Sequence, residues 1–241
     1  GVSMGIGIDV PGTFRTPQLN AALFHESSLQ LSNRLRATLG LRYDLSRTSI
    51  HYDTRAIMTA NAKIMGQEAV NTLSSHFNSR THNTFNQLLP KLALTYDLGK
   101  VSQSNGGEIG NLYASVSKGY RAGGYNIQMF SDILQTELMA NRMKIKDGNY
   151  DIPHSADDYS KVNNTISYKP EESWNYEAGA HLNLFNQAVH LDLSAYYMQI
   201  KNQQLSVMAG TYGFGRMMVN AGRSRSFGGE MTLRGSSFNN A

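Results

Sequence analysis

VHLDLSAYY, residues 189–197, places apolar side chains at the odd positions and mainly polar ones at the even positions. A period of two is that of a β-strand, whose successive side chains point to opposite faces. The stretch therefore predicts a strand with one apolar and one polar face. The apolar set is Val189, Leu191, Leu193, Ala195 and Tyr197, and the other set is His190, Asp192, Ser194 and Tyr196.

The same alternation recurs along the chain and predicts about seven strands. Several approach the roughly 9–11 residues that a tilted transmembrane strand needs, whereas strands of soluble proteins average about 5–6 residues. The clearest further examples are residues 35–44, 174–184 and 227–234, and weaker ones are 19–25, 88–97 and 112–117.

The connections between these segments alternate between short and long. In an antiparallel meander, every second connection emerges at the same end of the sheet, as in outer-membrane barrels with short periplasmic turns and long external loops. The sequence thus predicts an all-β fold, an antiparallel up-and-down meander that forms part of a transmembrane β-barrel. The short connections are at about 26–34, 98–108 and 185–188, and the long ones at about 47–86, 121–171 and 208–222.

Two of the long connections contain apolar residues at roughly helical spacing. The pattern from Ile133 to Met143 predicts a short helix, with Ser131 or Asp132 at its start. A weaker pattern over residues 57–70 predicts another helix.

Aromatic residues lie on the predicted strands or close to their junctions with the loops. Tyrosine and tryptophan gather where an apolar environment meets a polar one, as at a bilayer surface. A soluble antiparallel β-sandwich also alternates and remains an alternative. The aromatic residues concerned are Tyr43, Tyr113, Tyr120, Tyr125, Trp174, Tyr176, Tyr196 and Tyr197.

Composition excludes several classes of function. The chain has no cysteine, and its 22 lysines and arginines are scattered, with a net charge of +4, which argues against a nucleic-acid partner. Gly5 and Gly7 lack the third glycine of a dinucleotide-binding fingerprint. Neither the histidines nor the adjacent carboxylates have the spacing of a metal or acid–base site. The sequence therefore predicts no enzyme activity, no cofactor and no metal site.

Five charged residues fall on the polar faces of the predicted strands: Arg36, Arg42, Glu177, Glu230 and Arg234. An arginine or lysine facing lipid near the midplane would cost about 2–4 kcal/mol. We therefore expect all five side chains to face the lumen of the barrel.

Five segments of the chain resemble barrel segments of the TonB-dependent outer-membrane receptors, and most closely those of the branch that takes up siderophores and similar metal chelates. Together they extend over most of the chain. They are RLRATLGLRYD (34–44), LLPKLALTYDL (88–98), NLYASVSKGYRAGGYN (111–126), YKPEESWNYEAGAHLNLFN (168–186) and NAGRSRSFGGEM (220–231).

The resemblance implies TonB-energised import of a scarce nutrient, most closely a ferric siderophore or similar metal chelate, across the outer membrane of a Gram-negative bacterium. The barrels of this family have about 22 strands, so residues 1–241 are predicted to be a partial barrel without the plug domain. The implied partners are outer-membrane lipid, a small metal chelate, and the TonB complex acting through the missing plug. A smaller barrel that serves as an adhesin or structural protein, and the soluble sandwich, remain alternatives.

Within that interpretation, ligand capture falls to cations and aromatic residues at the edges of long loops. Arg121, Tyr125, Tyr212 and Arg216 are the candidates. Guanidinium groups suit the anionic oxygens of a ferric chelate, and tyrosine adds apolar area with a hydrogen-bonding tip. In the stretch from Gly119 to Gly124, the glycines are expected to release the backbone into the loop.

Overall fold

A computed structural model describes residues 2–101, 107–210 and 215–235, except for the side chain of Asp147. Antiparallel strands dominate these ranges, and none of the helices in them is long and apolar enough to cross a membrane. In chain order the elements are β1 (Val2–Asp9), β2 (Gly12–Arg15), β3 (Gln18–Gln30), β4 (Leu35–Ile64), β5 (Gln67–Asp97), β6 (Gly110–Arg121), β7 (Gly124–Tyr125), α1 (Met129–Ala140), a 3₁₀ helix (Arg142–Asp147), β8 (Tyr150–Asp151), α2 (Ala156–Ile166), β9 (Ser167–Tyr168), β10 (Glu171–Leu184), β11 (Val189–Lys201), β12 (Gln204–Met208), β13 (Arg216–Asn220) and β14 (Ser224–Gly235).

One large sheet follows the order of the chain. β1, β2 and β3 pair in succession along β4, and the order then continues through β5, β6, β10, β11 and β14. Each of these neighbours is antiparallel, and only the two-residue β8 joins in parallel, on β5. The predicted meander is therefore confirmed. Within the described ranges, β14 at one edge of the sheet does not pair with β1, β2 or β3 at the other edge, so the sheet is open.

Unbroken register keeps each side chain on a fixed face from strand to strand. Leu92 pairs with Val116, Val116 with Tyr176, and Tyr176 with Tyr197. The side of the sheet that carries these residues is called the apolar face, and the opposite side the polar face. The alternation predicted for residues 189–197 holds, since Leu193 pairs with Ala180 and Met231.

The loop predicted at 47–86 is wrong, because β4 and β5 continue through it as one long hairpin of 30- and 31-residue strands. The turn at its tip has left-handed φ angles at Met65 (52°) and Gly66 (84°), as two-residue hairpin turns require. The helix predicted over residues 57–70 is wrong for the same reason. The even positions of this part of β4 are buried in strict alternation, but they mix polar and apolar types, which conceals the period: Ser46, Thr48, Ile50, Tyr52, Thr54, Ala56 and Met58.

The long connection between β6 and β10 contains two α-helices. The short helix predicted from Ile133 to Met143 is confirmed as α1, although α1 spans Met129–Ala140 and begins after Gln128 without a side-chain cap. The predicted caps Ser131 and Asp132 are therefore wrong. The second helix, α2, begins in a capping box that joins Ser155 and Asp158, a feature that the sequence analysis missed.

Two further strands differ from expectation. The loop predicted at 208–222 is wrong over Arg216–Asn220, which forms β13 and pairs with β12. β1 was not predicted, although Val2, Met4 and Ile6 alternate with small residues and β1 pairs with the far end of β4. Short strands at the edge of a hydrophobic segment carry a weak periodic signal, because few side chains define it.

The buried apolar core lies at the outer end of the sheet, on the continuation of its polar face. Here β1, β2, the distal parts of β4 and β5 (residues 46–85), the segment 122–170 and the β12–β13 hairpin form a layer that we call the cap. The rest of the large sheet is called the spanning sheet. The core residues of the cap are Ile50, Tyr52, Ala56, Met58, Leu73, Phe77, Phe130, Leu134, Leu138, Val162 and Ile166.

Candidate functional site

The apolar face of the spanning sheet is exposed to an extent unusual for a soluble protein. Leu23 is 77% exposed, Met231 71% and Leu233 65%, and their neighbours in register are also apolar. Soluble monomers rarely leave contiguous apolar patches of this extent uncovered. The face is therefore built to be covered by a medium or partner outside the described residues.

The polar face carries all five charges that were expected to face a lumen. The register places Arg36, Arg42, Glu177, Glu230 and Arg234 on the same side of the sheet. Three of them have partners on that face. Arg42 Nε lies 2.6 Å from Asp44 Oδ1, Arg234 Nη2 lies 3.2 Å from Asp192 Oδ2, and the Tyr113 hydroxyl donates to Glu177 Oε1 at 3.4 Å. The lumenal position itself stays a prediction.

On the polar face, tyrosine rings pack closely over glycines of the neighbouring strands. A Cβ on Gly179 would come within 2.4 Å of the Tyr113 ring and of the Leu193 carbonyl oxygen, and Gly228 lies under Tyr196 in the same way. The Tyr113 ring also stacks on His181, with centroids 5.1 Å apart. Aromatic rings laid across glycines are one device that pins the register of a sheet.

Buried amide side chains join the loops of the cap. Asn126, 4% exposed, donates from Nδ2 to the Met218 carbonyl and accepts the Met218 N–H at Oδ1, both at 2.8 Å. This side chain thus pairs the segment after β7 with β13 much as a neighbouring strand would. Two further amides act in the same way.

Gln204 and Asn220 connect the β12–β13 hairpin to the chain before β10. Gln204 Nε2 donates to the carbonyls of Ala122 (2.9 Å) and Lys169 (3.1 Å). Asn220 accepts the Lys169 N–H at 2.7 Å and donates to the Lys169 carbonyl at 2.9 Å. The Gln204 N–H donates to Glu171 Oε2 at 2.7 Å. Three segments that are distant in sequence therefore form one mouth above the polar face.

A cavity of about 380 Å³ opens at this mouth. It is lined by residues of the segment after β6, of β9 and of the turn that precedes β3, including Gln18, Gly124, Tyr125 and Tyr168. Burial raises the pKa of the Tyr125 hydroxyl, which lies beside the hydroxyls of Thr48 and Thr81. The wall of the cavity is thus largely uncharged and polar.

Gly123 and Gly124 are required by close approach rather than by a left-handed backbone. Neither has a positive φ, which corrects the expectation that these glycines release the chain. A Cβ on Gly123 would lie 2.3 Å from the Tyr168 carbonyl oxygen, and one on Gly124 would lie 2.6 Å from the Tyr168 hydroxyl. Larger residues would push β7 away from β9.

The predicted ligand-capture residues are only partly brought together. Tyr125 lines the mouth cavity, and Arg121 is exposed at the end of β6, opposite Glu171. Arg216 donates from Nε to Ser206 Oγ at 2.9 Å and from Nη2 to the Ser206 carbonyl at 2.6 Å, so it is held within its own hairpin. Tyr212 lies outside the described residues.

A buried cluster in the cap escaped the sequence analysis. The His154 side chain, 6% exposed, donates from Nδ1 to the His76 carbonyl at 2.9 Å, and its Nε2 lies 2.6 Å from Glu137 Oε1. Ser75 Oγ donates to Glu137 Oε2 at 2.9 Å, and Phe77 stacks on the His154 ring at 3.8 Å. No sequence signal links positions so far apart. The described residues hold no group of three or more potential metal ligands, and this cluster ties α1 and the start of α2 to β5.

The chain was compared with protein-family models and with solved structures. The family model described as TonB dependent receptor-like, beta-barrel matches residues 6–241. Among solved structures, the ferric yersiniabactin uptake receptor FyuA from Yersinia pestis shows 15% identity and a TM-score of 0.37, over 96% of this chain and 29% of that one. The alcaligin outer-membrane receptor FauA from Bordetella pertussis shows 13% identity and a TM-score of 0.37, over 96% and 38%.

The FrpB iron transporter from Neisseria meningitidis shows 13% identity and a TM-score of 0.39, over 92% of this chain and 34% of that one. The chain spans about a third of the length of these structures. No curated protein sequence matches the chain significantly.

Proposed function

Because the chain belongs to the TonB-dependent receptor β-barrel family, we propose that it forms part of a transporter that imports a ferric siderophore or a similar metal chelate. The family consists of transport receptors, not enzymes, and it resides in the outer membrane of Gram-negative bacteria. Residues 1–241 supply part of the barrel wall and part of its external cap. In this proposal the TonB complex acts through a plug domain of the complete receptor.

One observation carries the proposal: a single sheet has a continuous apolar face, an opposite face with ion pairs, and a structured cap at one end. The apolar face matches lipid, and the polar face matches a filled channel. The cap lies above the polar face, where a ligand would enter. A soluble sandwich would bury the apolar face against a second sheet, and the described residues contain no such sheet.

The chelate class is supported by the five segments quoted above and by the chemistry of the mouth. Arg121 presents a guanidinium group at the end of β6, and Tyr125 presents a phenol in the adjoining cavity. Arg216 has a positioning role in this proposal, since Ser206 holds its guanidinium within the β12–β13 hairpin. Tyr212 remains a candidate on sequence grounds.

Uptake of radiolabelled ferric siderophores by cells that express the complete receptor tests the proposal. Arg121→Ala and Arg216→Ala are expected to lower uptake about tenfold or more, because each removes a charged hydrogen-bonding group. Lys146→Ala serves as the control, since it removes an exposed cation from the 3₁₀ helix, away from the mouth. Wild-type uptake in both arginine variants would refute the assigned residues, and absence of chelate uptake by the wild-type receptor would refute the ligand class.

A further inference from the structure

Strand register arranges the outer part of the apolar face in level rows. One row consists of Val116, Tyr176, Tyr197 and Phe227, and the rings of Tyr176 and Tyr197 lie 6.0 Å apart. The rows between this one and the short turn at residues 185–188 contain mainly alanine, glycine, leucine and methionine. Since aromatic side chains gather where hydrocarbon meets headgroups, this aromatic row marks the outer interface of the bilayer.

The next register row toward the cap, on the same face, contains two cations. Lys118, Trp174, Gln199 and Arg225 are direct register partners across β6, β10, β11 and β14. Lys118 Nζ lies 5.8 Å from the centroid of the Trp174 ring. Within two residues the face thus changes from Phe227 to Arg225 along β14 and from Val116 to Lys118 along β6.

Two more cations follow in the outermost row. Lys201 pairs with Glu172 across β10 and β11, and Arg223 lies directly before β14. Lys201, Arg223 and Arg225 are exposed, and none of them forms an ion pair with any described residue. The carboxylate of Glu172 accepts a hydrogen bond from Gln87 Nε2 at 3.0 Å.

Lys201, Arg223, Arg225 and Glu172 line a cavity of about 690 Å³. By strand alternation, six of its lining residues belong to the apolar face, and Ile200 and Ser224 belong to the other face. The six residues of the apolar face are Glu172, Trp174, Gln199, Lys201, Arg223 and Arg225.

We propose that this cavity binds the phosphate-bearing headgroup of a lipid in the outer leaflet. Guanidinium and ammonium groups are the usual partners of phosphate, and here they lie on the lipid-facing side, immediately above the aromatic row. What lies next to that surface is the bilayer headgroup layer, not the lumen or the solvent above the cap. The site rests on the membrane placement of the sheet and is independent of which chelate is imported.

The predicted function of the site is to fix the barrel to its surrounding lipid at a defined height. Each cation near an anionic membrane surface strengthens binding about fivefold, so Lys201, Arg223 and Arg225 together supply about 100-fold. Trp174 adds an apolar body at the same level, as aromatic residues at bilayer interfaces do.

The test uses the complete receptor in a zwitterionic detergent, titrated with dioctanoyl phosphatidylglycerol or dioctanoyl phosphatidylcholine and followed by native mass spectrometry. We expect tighter binding of the anionic lipid by the wild-type receptor. The variant Lys201→Gln/Arg223→Gln/Arg225→Gln is expected to lose about 100-fold of that affinity and to bind phosphatidylcholine unchanged. Retained preference for the anionic lipid in this variant overturns the proposal.

A matched variant, Arg55→Gln/Lys63→Gln/Lys146→Gln, removes the same charge from exposed positions of β4 and the 3₁₀ helix. Equal loss of lipid in this control would show a general charge effect and overturn the site. Displacement of phosphatidylglycerol by an equal concentration of inorganic phosphate would show a free-anion site instead. If the triple variant fails to assemble, Lys201→Gln alone must weaken binding about fivefold, and wild-type binding must fall with rising salt; failure of either overturns the proposal.

Discussion

The cap and the spanning sheet share two strands but are stabilised in different ways. In the cap, Ile50, Leu134 and Leu138 are fully buried at 0% exposure, whereas Met231 and Leu233 on the spanning sheet are 71% and 65% exposed. The cap therefore contains its own apolar core and the spanning sheet does not. The same period-two alternation leads to protein packing in one region and to an exposed apolar surface in the other.

Removal of the Phe130 ring from the core of the cap should have the largest effect on stability. The loss should be confined to the cap. Phe130 is 1% exposed and packs on Tyr52 and Phe14, with ring centroids 4.6 and 5.3 Å away. Phe130→Ala is expected to cost the cap about 3–5 kcal/mol through the lost burial and the cavity left behind. Hydrogen exchange should then accelerate in α1 and α2 but not in β10 and β11.

The control for this variant is Met143→Ala, because Met143 belongs to the same loop segment and is 61% exposed. It should leave exchange in α1 unchanged. Equal loss of protection in β10 and β11 of Phe130→Ala would show that the cap and the spanning sheet unfold as one unit.

A charge introduced on the apolar face tests the surroundings of the spanning sheet. Met231 lies in a row with Leu193 and Ala180, within the apolar band. Met231→Arg is expected to destabilise the assembled barrel by about 2–4 kcal/mol, since the guanidinium would face hydrocarbon. Unfolding by urea in lipid vesicles and the heat-dependent mobility of the barrel on gels would measure this loss.

The neighbouring position supplies the matched control. Thr232 lies on the polar face opposite Asp192, so Thr232→Arg adds the same charge to the same strand and should be tolerated. If both variants were equally stable, or equally unstable, the two faces would not differ in their surroundings.

A smaller effect is expected where the two regions meet at the mouth. Asn126→Ala removes both hydrogen bonds to Met218 and leaves the half-buried N–H and carbonyl of that residue without these partners, at a cost of about 1 kcal/mol. The β12–β13 hairpin should become sensitive to protease while the spanning sheet stays protected. Asn61→Ala, at an exposed position of β4, should not change the cleavage pattern.

The smallest expected effect depends on pH and concerns the start of α2. Hydrogen bonds from the Ser155 N–H and hydroxyl lower the pKa of Asp158, with help from the nearby charges of His154 and Lys161. An acid whose pKa is lowered on folding stabilises the fold above its ordinary pKa of about 3.9, and that contribution is lost as the pH falls through the lowered value.

Amide exchange in the first turn of α2, corrected for intrinsic rates, should therefore rise as the pH falls below about 4. Asp158→Asn should abolish this dependence. Asp157→Asn removes the adjacent charge, whose carboxylate bonds Lys161 rather than the helix start, and should preserve it. Persistence of the acid dependence in Asp158→Asn would exclude this capping carboxylate as its cause.

Much of the spanning sheet could be predicted from sequence, because one face of each strand is mainly apolar and the other mainly polar. Residues 189–197 and 174–184 show a regular alternation for this reason. In the distal β4 strand, the buried face contains Ser46, Thr48 and Thr54 beside apolar residues. Burial there follows from helices packing over the strand, so hydrophobicity alone does not reveal the period.

The candidate site was predictable only in part. Tyr125 was identified from its place at the end of a strand, and the structure puts it in the mouth cavity. The amides of Asn126, Gln204 and Asn220 were missed, because their partners are backbone groups distant in sequence. Such contacts have no local pattern, since any residue can supply a backbone N–H or carbonyl.

By itself, the sequence determined the strand alternation, the side of the sheet on which each charge lies, and the family. A period of two fixes the face of every side chain once the register is continuous. Only the tertiary structure decided that the distal β4–β5 hairpin is covered by α1 and α2, and that residues of β10, β11 and the start of β14 form a cationic cavity above the aromatic row. Those features depend on which strands become neighbours, and local propensity does not encode that choice.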